Sequence, residues 1–217
     1  SDSTVLLEVH SLRARAAREA IAPFAELVKS PEHVHTYRLT PLSIWNARSA
    51  GLSGAAMIAA LREHAKYPVP DSVVTEVGEL AARYGRVILT REGDALFCTS
   101  CDRATAERLA RDKGAGPFLA GRIDATRFRV SAAVRGVLKQ ALVAAGFPAE
   151  DLAGYAAGDE LRIALRDRCL SGLAFDVRDY QREAANAFHL AGSERGGSGV
   201  IVLPCGAGKT IVGIAAM

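Results

Sequence analysis

The sequence is short of most features that would assign a class at once. Four cysteines in 217 residues are too few for the disulfide framework of a small secreted domain. Cys98-Thr99-Ser100-Cys101 has the spacing of a zinc knuckle but needs two further ligands. Cys169 and Cys205 lie far along the chain, and His33 and His35 sit in another segment. With Cys98 on a predicted strand facing inward, reduced structural thiols are the expectation. No apolar run approaches the ~18 residues of a membrane-spanning helix. Ser1-Asp2-Ser3-Thr4 lacks the basic start and apolar middle of a secretion signal. The expected protein is soluble and cytoplasmic. Net charge is only +3, too weak by itself to indicate nucleic acid. Lysine is scarce, 5 against 22 arginines, a bias of GC-rich bacterial coding that carries no mechanism.

What is present suffices for buried cores: 49% of residues are hydrophobic, and the length suggests one or two domains. The charge is unevenly placed. Residues 103–139 hold nine cations (Arg103, Arg108, Arg111, Lys113, Arg122, Arg127, Arg129, Arg135, Lys139) against Glu107, Asp112 and Asp124, leaving the remainder acidic. Such a local excess is the footprint of phosphate contact. The alternative is a set of solvated arginines on helix faces.

The most informative stretch comes near the end. Val200, Ile201, Val202 and Leu203 read as a parallel strand buried on both faces. Pro204-Cys205-Gly206-Ala207-Gly208-Lys209-Thr210 follows, then an apolar helical run to Met217. A strand, a Gly-rich turn and a helix aim backbone N–H groups and a helix N-terminus at one anion. Lys209 would reach the β- and γ-phosphates of ATP, and the Thr210 hydroxyl would bind Mg²⁺. The strict phosphate-loop pattern fails at its first position, where Leu203 replaces Gly, and G-x-G-K-T remains. The competing reading is a turn that binds nothing. Upstream, Asp179-Tyr180-Gln181 opens a helix with Tyr180, Ala184, Ala187, Phe188 and Ala191 on one face, ending at Gly192. Gln181 alone reads as an exposed helix residue. Ahead of a phosphate loop its amide, donor and acceptor together, suits adenine.

Earlier in the chain, residues 4–9 alternate as a strand and residues 12–22 as a helix. Pro23 ends that helix or starts a second through Val28. Residues 34–39 return as a strand, giving a small β-α-β unit. Thr40 and Ser53 are N-caps, Pro41 takes the first helical position, and Asp71 caps a third helix bearing Val77, Leu80 and Ala81. Strands at 87–90 and 95–98 flank a turn at Glu92-Gly93-Asp94. Three helices and a two-stranded ribbon are the layout of a winged helix. Glu76 and Glu79 on the third helix would repel phosphates, so this unit is expected to be structural or to contact protein. In the basic segment, Asp102 caps a helix to about Lys113. Residues 118–120 and 127–130 are short strands, and Ser131 caps a helix with Val134, Val137, Leu138, Ala141 and Leu142 inward. Arg135 and Lys139 lie on its outer face, where a bound anion would relieve their repulsion. Residues 161–165 read as a strand, and residues 195–199 as a flexible loop.

Arg178-Asp179-Tyr180-Gln181 followed by VIVLPCGAGKT resembles the xeroderma pigmentosum group B (XPB) helicases of superfamily 2, in their bacterial branch. HVHTYRLTPLSIWNARSAG (residues 33–51) and LKQALVAAGFPAEDLAGY (residues 138–155) resemble that branch too. The resemblance implies an α/β protein in three parts. Residues 1–85 would be a β-α-β and winged-helix-like domain, and 86–172 a basic mixed α/β domain like the family's damage-recognition domain. Residues 173–217 would begin a RecA-like lobe. It implies ATP and Mg as cofactors, held by Arg178, Gln181, Cys205, Gly206, Ala207, Gly208, Lys209 and Thr210. It implies DNA (double-stranded, forked or damaged) as substrate, with Arg127, Arg129, Arg135 and Lys139 on phosphates and Phe128 as a base-stacking wedge or, alternatively, core. A nuclease or repair protein would be the partner. The expected activity is 3′–5′ unwinding or translocation in repair. No D-E-x-H motif or arginine finger follows Thr210 in these residues, so the fragment is expected to hold the nucleotide without hydrolysing it. The alternative is a non-catalytic DNA- or protein-binding module with a vestigial phosphate loop.

Overall fold

In the computed structural model, residues 3–154, 163–189 and 201–217 are described. The chain divides into two compact units, Ser1–Asp151 and Leu152–Met217. Helices and mixed sheets make it an α/β protein, as expected.

The first unit opens with β1 (Thr4–Glu8), α1 (Ala14–Ile21), β2 (Glu26–Lys29) and β3 (Val34–Arg38). The sheet order is β1-β3-β2, antiparallel throughout, so there is no β-α-β crossover. Residues 26–29, which overlap the second helix offered as one alternative through Val28, form an exposed edge strand bulged between Leu27 and Lys29. Pairing with β3 outweighs local helix propensity there, a preference worth only tenths of a kcal/mol per residue. Three helices close over the sheet: α2 (Pro41–Ser49), α3 (Gly54–His64) and α4 (Asp71–Arg83). Thr40 and Ser43 cap α2 reciprocally, each backbone N–H bonding the other's hydroxyl at 3.0 Å, with Pro41 in the first turn. Ser53 accepts the Ala56 N–H at 3.1 Å to start α3. Asp71 is the first residue of α4 and makes no cap hydrogen bond. Phe24, Ile44, Met57 and Val77 are fully buried in the core between sheet and helices, and Trp45 donates its indole N–H to the Leu80 carbonyl at 2.9 Å. A Cβ on Gly54 would lie 2.8 Å from that of Ala81, so only glycine permits this α3–α4 approach.

That buried cluster ends at Tyr84. A second sheet follows, with β4 (Val87–Glu92), β5 (Ala95–Ser100), β6 (Gly121–Arg122), β7 (Arg127–Val130) and β8 (Ala149–Asp151). Its order is β6-β7-β5-β4-β8. The expected ribbon is therefore no free wing: β7 extends it on one side and β8, parallel to β4, on the other. Leu96, Cys98 and Ser100 alternate inward along β5. They share the interior with Phe128, Val130 and the buried residues of α5 (Arg103–Arg111) and α6 (Arg135–Ala144), namely Ala106, Leu109, Leu138 and Leu142. Asp102 caps α5 by accepting the Thr105 N–H at 2.7 Å. Residues 116–118, partly covered by an expected strand, form a 3₁₀ turn; Pro117 has no N–H to give a ladder. Ser131 precedes a 3₁₀ turn rather than α6 itself, and makes no cap bond. Val137, expected inside, is half exposed.

The second unit contains α7 (Asp179–His189) and α8 (Lys209–Ala216). The expected strand at 200–203 is absent over residues 201–203, and Val202 is 86% exposed; Val200 lies outside the described residues. A parallel strand needs flanking strands, and the described residues of this unit offer only one isolated bridge, Arg168 to Ala174. Residues 163–165 are likewise not strand. Residues 161–162, the loop at 195–199 and the proposed end of α7 at Gly192 lie outside the described residues.

Candidate phosphate-binding loop and basic surface

Two glycines shape the loop ahead of α8. Gly206 has φ +79°, and Gly208, the N-cap of α8, has φ +76° and ψ 45°. Both are left-handed values that other residues adopt only at a cost of roughly 1–2 kcal/mol. Between them the chain turns back: the Ala207 N–H donates to the Pro204 carbonyl at 3.3 Å. The Gly208 carbonyl accepts from Ile211 and Val212 and begins α8. The first-turn N–H groups of a helix have no intrahelical partner, so those of Lys209 and Thr210 face the loop with the positive end of the helix dipole. Both residues are exposed, as are Cys205 and Gly206. The Lys209 ammonium donates to the Pro204 carbonyl at 3.1 Å and so lies across the loop mouth. The glycine bend expected from the sequence is present, with Cys205, Gly206, Lys209 and Thr210 exposed around it.

Gln181 is joined to this loop. It is 6% exposed, contrary to the face read from the sequence: Gln181 and Ala185 form the buried side of α7, while Tyr180 is 38% exposed. Its side-chain oxygen accepts the Arg178 N–H at 3.1 Å, and its nitrogen donates to the Ala207 carbonyl at 2.9 Å. The Tyr180 hydroxyl donates to the same carbonyl at 2.9 Å. An amide has two N–H groups and two lone pairs; the Gln181 nitrogen also meets the Tyr180 hydroxyl at 3.4 Å, so one lone pair of its oxygen remains after these bonds. Arg178 contributes its backbone here and leaves its side chain exposed. Sequence reading overlooked Tyr180; its position beside Gln181 was the available signal.

The basic segment is less available than its composition suggests. Arg135 makes a two-pronged ion pair with Asp151, at 3.0 and 2.7 Å, and Lys139 reaches the same carboxylate at 3.0 Å. The anion foreseen for these cations is thus supplied by the chain itself. Burial pushes the Asp151 carboxyl up, but the hydrogen bonds and charges of Arg135 and Lys139 outweigh it and hold it below the usual carboxylate range. Arg127 pairs with Glu92 and lies 4.0 Å over the Phe97 ring. Phe128 is 1% exposed and belongs to the core, which removes it as a wedge. Of the four cations named from the sequence, Arg129 is exposed and has no partner among the described residues.

The two close cysteines diverge. Cys98 is buried and its thiol is pushed up to about 12 by burial. Cys101 is exposed, with its thiol 3.0 Å from the Asp102 carboxylate and 3.2 Å from the Arg86 guanidinium. Among the described residues no three His, Cys, Asp or Glu side chains gather to hold a metal, and no helix is long and apolar enough to cross a membrane.

Comparison with known proteins adds the following. Residues 1–124 match the family described as helicase conserved C-terminal domain, and residues 174–217 match the family described as type III restriction enzyme, res subunit. The chain is 49% identical over 218 residues to the DNA 3′-5′ helicase XPB of Mycobacterium tuberculosis, covering all of this chain and 38% of that relative. It is also 49% identical to the DNA 3′-5′ helicase XPB of Kineococcus radiotolerans, covering 37% of it. A more distant relative is the general transcription and DNA repair factor IIH helicase/translocase subunit XPB of Antonospora locustae, 30% identical over 228 residues. The chain spans less than two fifths of the length of these curated relatives.

Proposed function

The chain belongs to the XPB-type family of superfamily 2 helicases, and on that premise we propose that it supplies the nucleotide-entry and DNA-contacting part of an ATP-dependent 3′–5′ DNA helicase or translocase of repair. The single observation that carries this reading is the loop from Pro204 to Gly208: two left-handed glycines, exposed first-turn residues and Lys209 at the mouth. Such a concavity of N–H groups suits the phosphates of ATP. Lys209 would leave the Pro204 carbonyl for the β- and γ-phosphates. The Thr210 hydroxyl, exposed in the first turn of α8, fits a metal that arrives with the nucleotide. Mg²⁺ would supply neutralisation of phosphate charge. Gln181 retains one lone pair for adenine, and its long 3.4 Å contact to the Tyr180 hydroxyl would have to be given up for its amide to donate there as well; Arg178 and Cys205 border the same site. A damaged or forked duplex is the proposed substrate, and a nuclease or repair protein the proposed partner. By themselves these 217 residues carry no D-E-x-H carboxylates and are expected to bind without turnover.

The test is a calorimetric titration with Mg-ATP. Binding is expected in the wild type, and Lys209→Ala should weaken it at least tenfold, as removal of a charge-assisted contact to phosphate requires. Equal affinities in the two proteins would reject the phosphate reading and leave the binding module with a vestigial loop.

DNA contact is assigned to the outer side of the second sheet through Arg129. Arg129→Glu should weaken duplex binding and lower the slope of log K against log salt by about one, the loss of one phosphate contact. An unchanged slope would remove Arg129 from the DNA site. Substitutions at Arg135 or Lys139 cannot serve here, because both also strip the Asp151 carboxylate of a partner.

A further inference from the structure

We infer that Tyr180 is a positioning residue for the phosphate loop, acting by fixing the direction of the Gly208 N–H. The inference rests on the reading of that loop as a phosphate site. A peptide unit is planar and trans, so its carbonyl and its N–H point in opposite directions; no cis peptide interrupts this stretch. The unit joining Ala207 to Gly208 is therefore oriented by whatever holds the Ala207 oxygen.

Two donors from α7 hold it, the Tyr180 hydroxyl and the Gln181 amide, each at 2.9 Å. Together they fill both lone pairs of that oxygen. With the carbonyl turned toward α7, the Gly208 N–H turns away from it, and among the described residues no acceptor meets that N–H. The two grips also support each other: the Gln181 nitrogen lies 3.4 Å from the Tyr180 oxygen. A peptide bordered by glycine is otherwise easy to rotate, because Gly208 tolerates either sign of φ. Gln181 alone would leave one lone pair for water and a looser plane. Tyr180 supplies the second restraint from a partly exposed position in the first turn of α7, 27 residues before Ala207. Its effect falls on the phosphates, independently of the base.

The distinguishing probe is inorganic tripolyphosphate with Mg²⁺, which has no adenine. The 217-residue chain and its Tyr180→Phe variant are titrated with Mg-ATP and with Mg-tripolyphosphate, and their thermal unfolding is recorded. Removing one net hydrogen bond, about 1 kcal/mol, corresponds to about a fivefold loss. The expected result is that loss for both ligands alike, with a cooperative unfolding transition retained. Loss confined to ATP would make Tyr180 a base contact and overturn the inference. Equal affinities for both ligands would overturn it alone. A wild type that binds neither ligand would remove the phosphate reading itself, and this inference with it.

Discussion

Alanine at position 208 is expected to abolish nucleotide binding, a loss of at least a hundredfold, while the first compact unit stays folded. Two independent penalties meet at this position. The backbone has φ +76°, where a Cβ costs roughly 1–2 kcal/mol. The added carbon would also lie 2.6 Å from the Gln181 side-chain nitrogen, closer than real contacts allow. The Gln181 amide would have to shift, straining its bonds to Ala207 and to the Arg178 N–H. The strained backbone and the displaced amide act on the same loop. Two other glycines calibrate the result. Gly206→Ala meets nothing within 4 Å but carries the same strained φ, so it should weaken binding less. Gly213 lies inside α8 with open space around its missing Cβ. Gly213→Ala should leave affinity intact and steady the helix by up to about 1 kcal/mol. Titration of Mg-ATP against the three variants decides the order. Nucleotide binding retained by Gly208→Ala would show that the bend is not the site.

The second large effect is expected at Asp151. Asp151→Asn keeps the shape but leaves Arg135 and Lys139 facing a neutral amide. Asp151 and Arg135 are only 12% and 17% exposed, and breaking such a pair by removing one charge costs about 3–5 kcal/mol. Urea denaturation should show it as a lower midpoint at unchanged slope. The pH dependence has a definite sign. The Asp151 carboxyl titrates below its ordinary value in the folded protein. Its contribution is therefore complete above the unfolded carboxylate pKa of about 4 and disappears as pH falls through the folded value. The wild type should lose stability in that acid window, and the Asn variant should lack that component. A cost under about 1 kcal/mol at neutral pH would mean a loose cluster, and would return Arg135 and Lys139 to the list of phosphate contacts.

Features set by a few neighbouring residues were legible in the sequence. Thr40, Ser53 and Asp102 cap their helices because a side-chain oxygen two or three residues away is all that an N-terminus needs. The glycine bend before Lys209 is equally local. Elements defined by distant partners were not legible. Residues 26–29 become a strand because β3 lies beside them, and residues 149–151 because β4 does; neither stretch alternates strongly enough to announce it. The basic segment misled for the same reason: a count of cations cannot reveal that Asp151 and Glu92 fold back onto three of them. Gln181 was half legible, recognised as part of the nucleotide region but not as a strut under the loop.

The parallel pairing of β8 with β4 has a consequence for biosynthesis. Val87 meets Ala149, so one rim of the second sheet waits for a partner synthesised about sixty residues later. At ribosomal speeds of about 5–20 residues per second, that rim stays uncovered for roughly 3–12 seconds. During that interval its N–H and C=O groups are a template for another nascent chain.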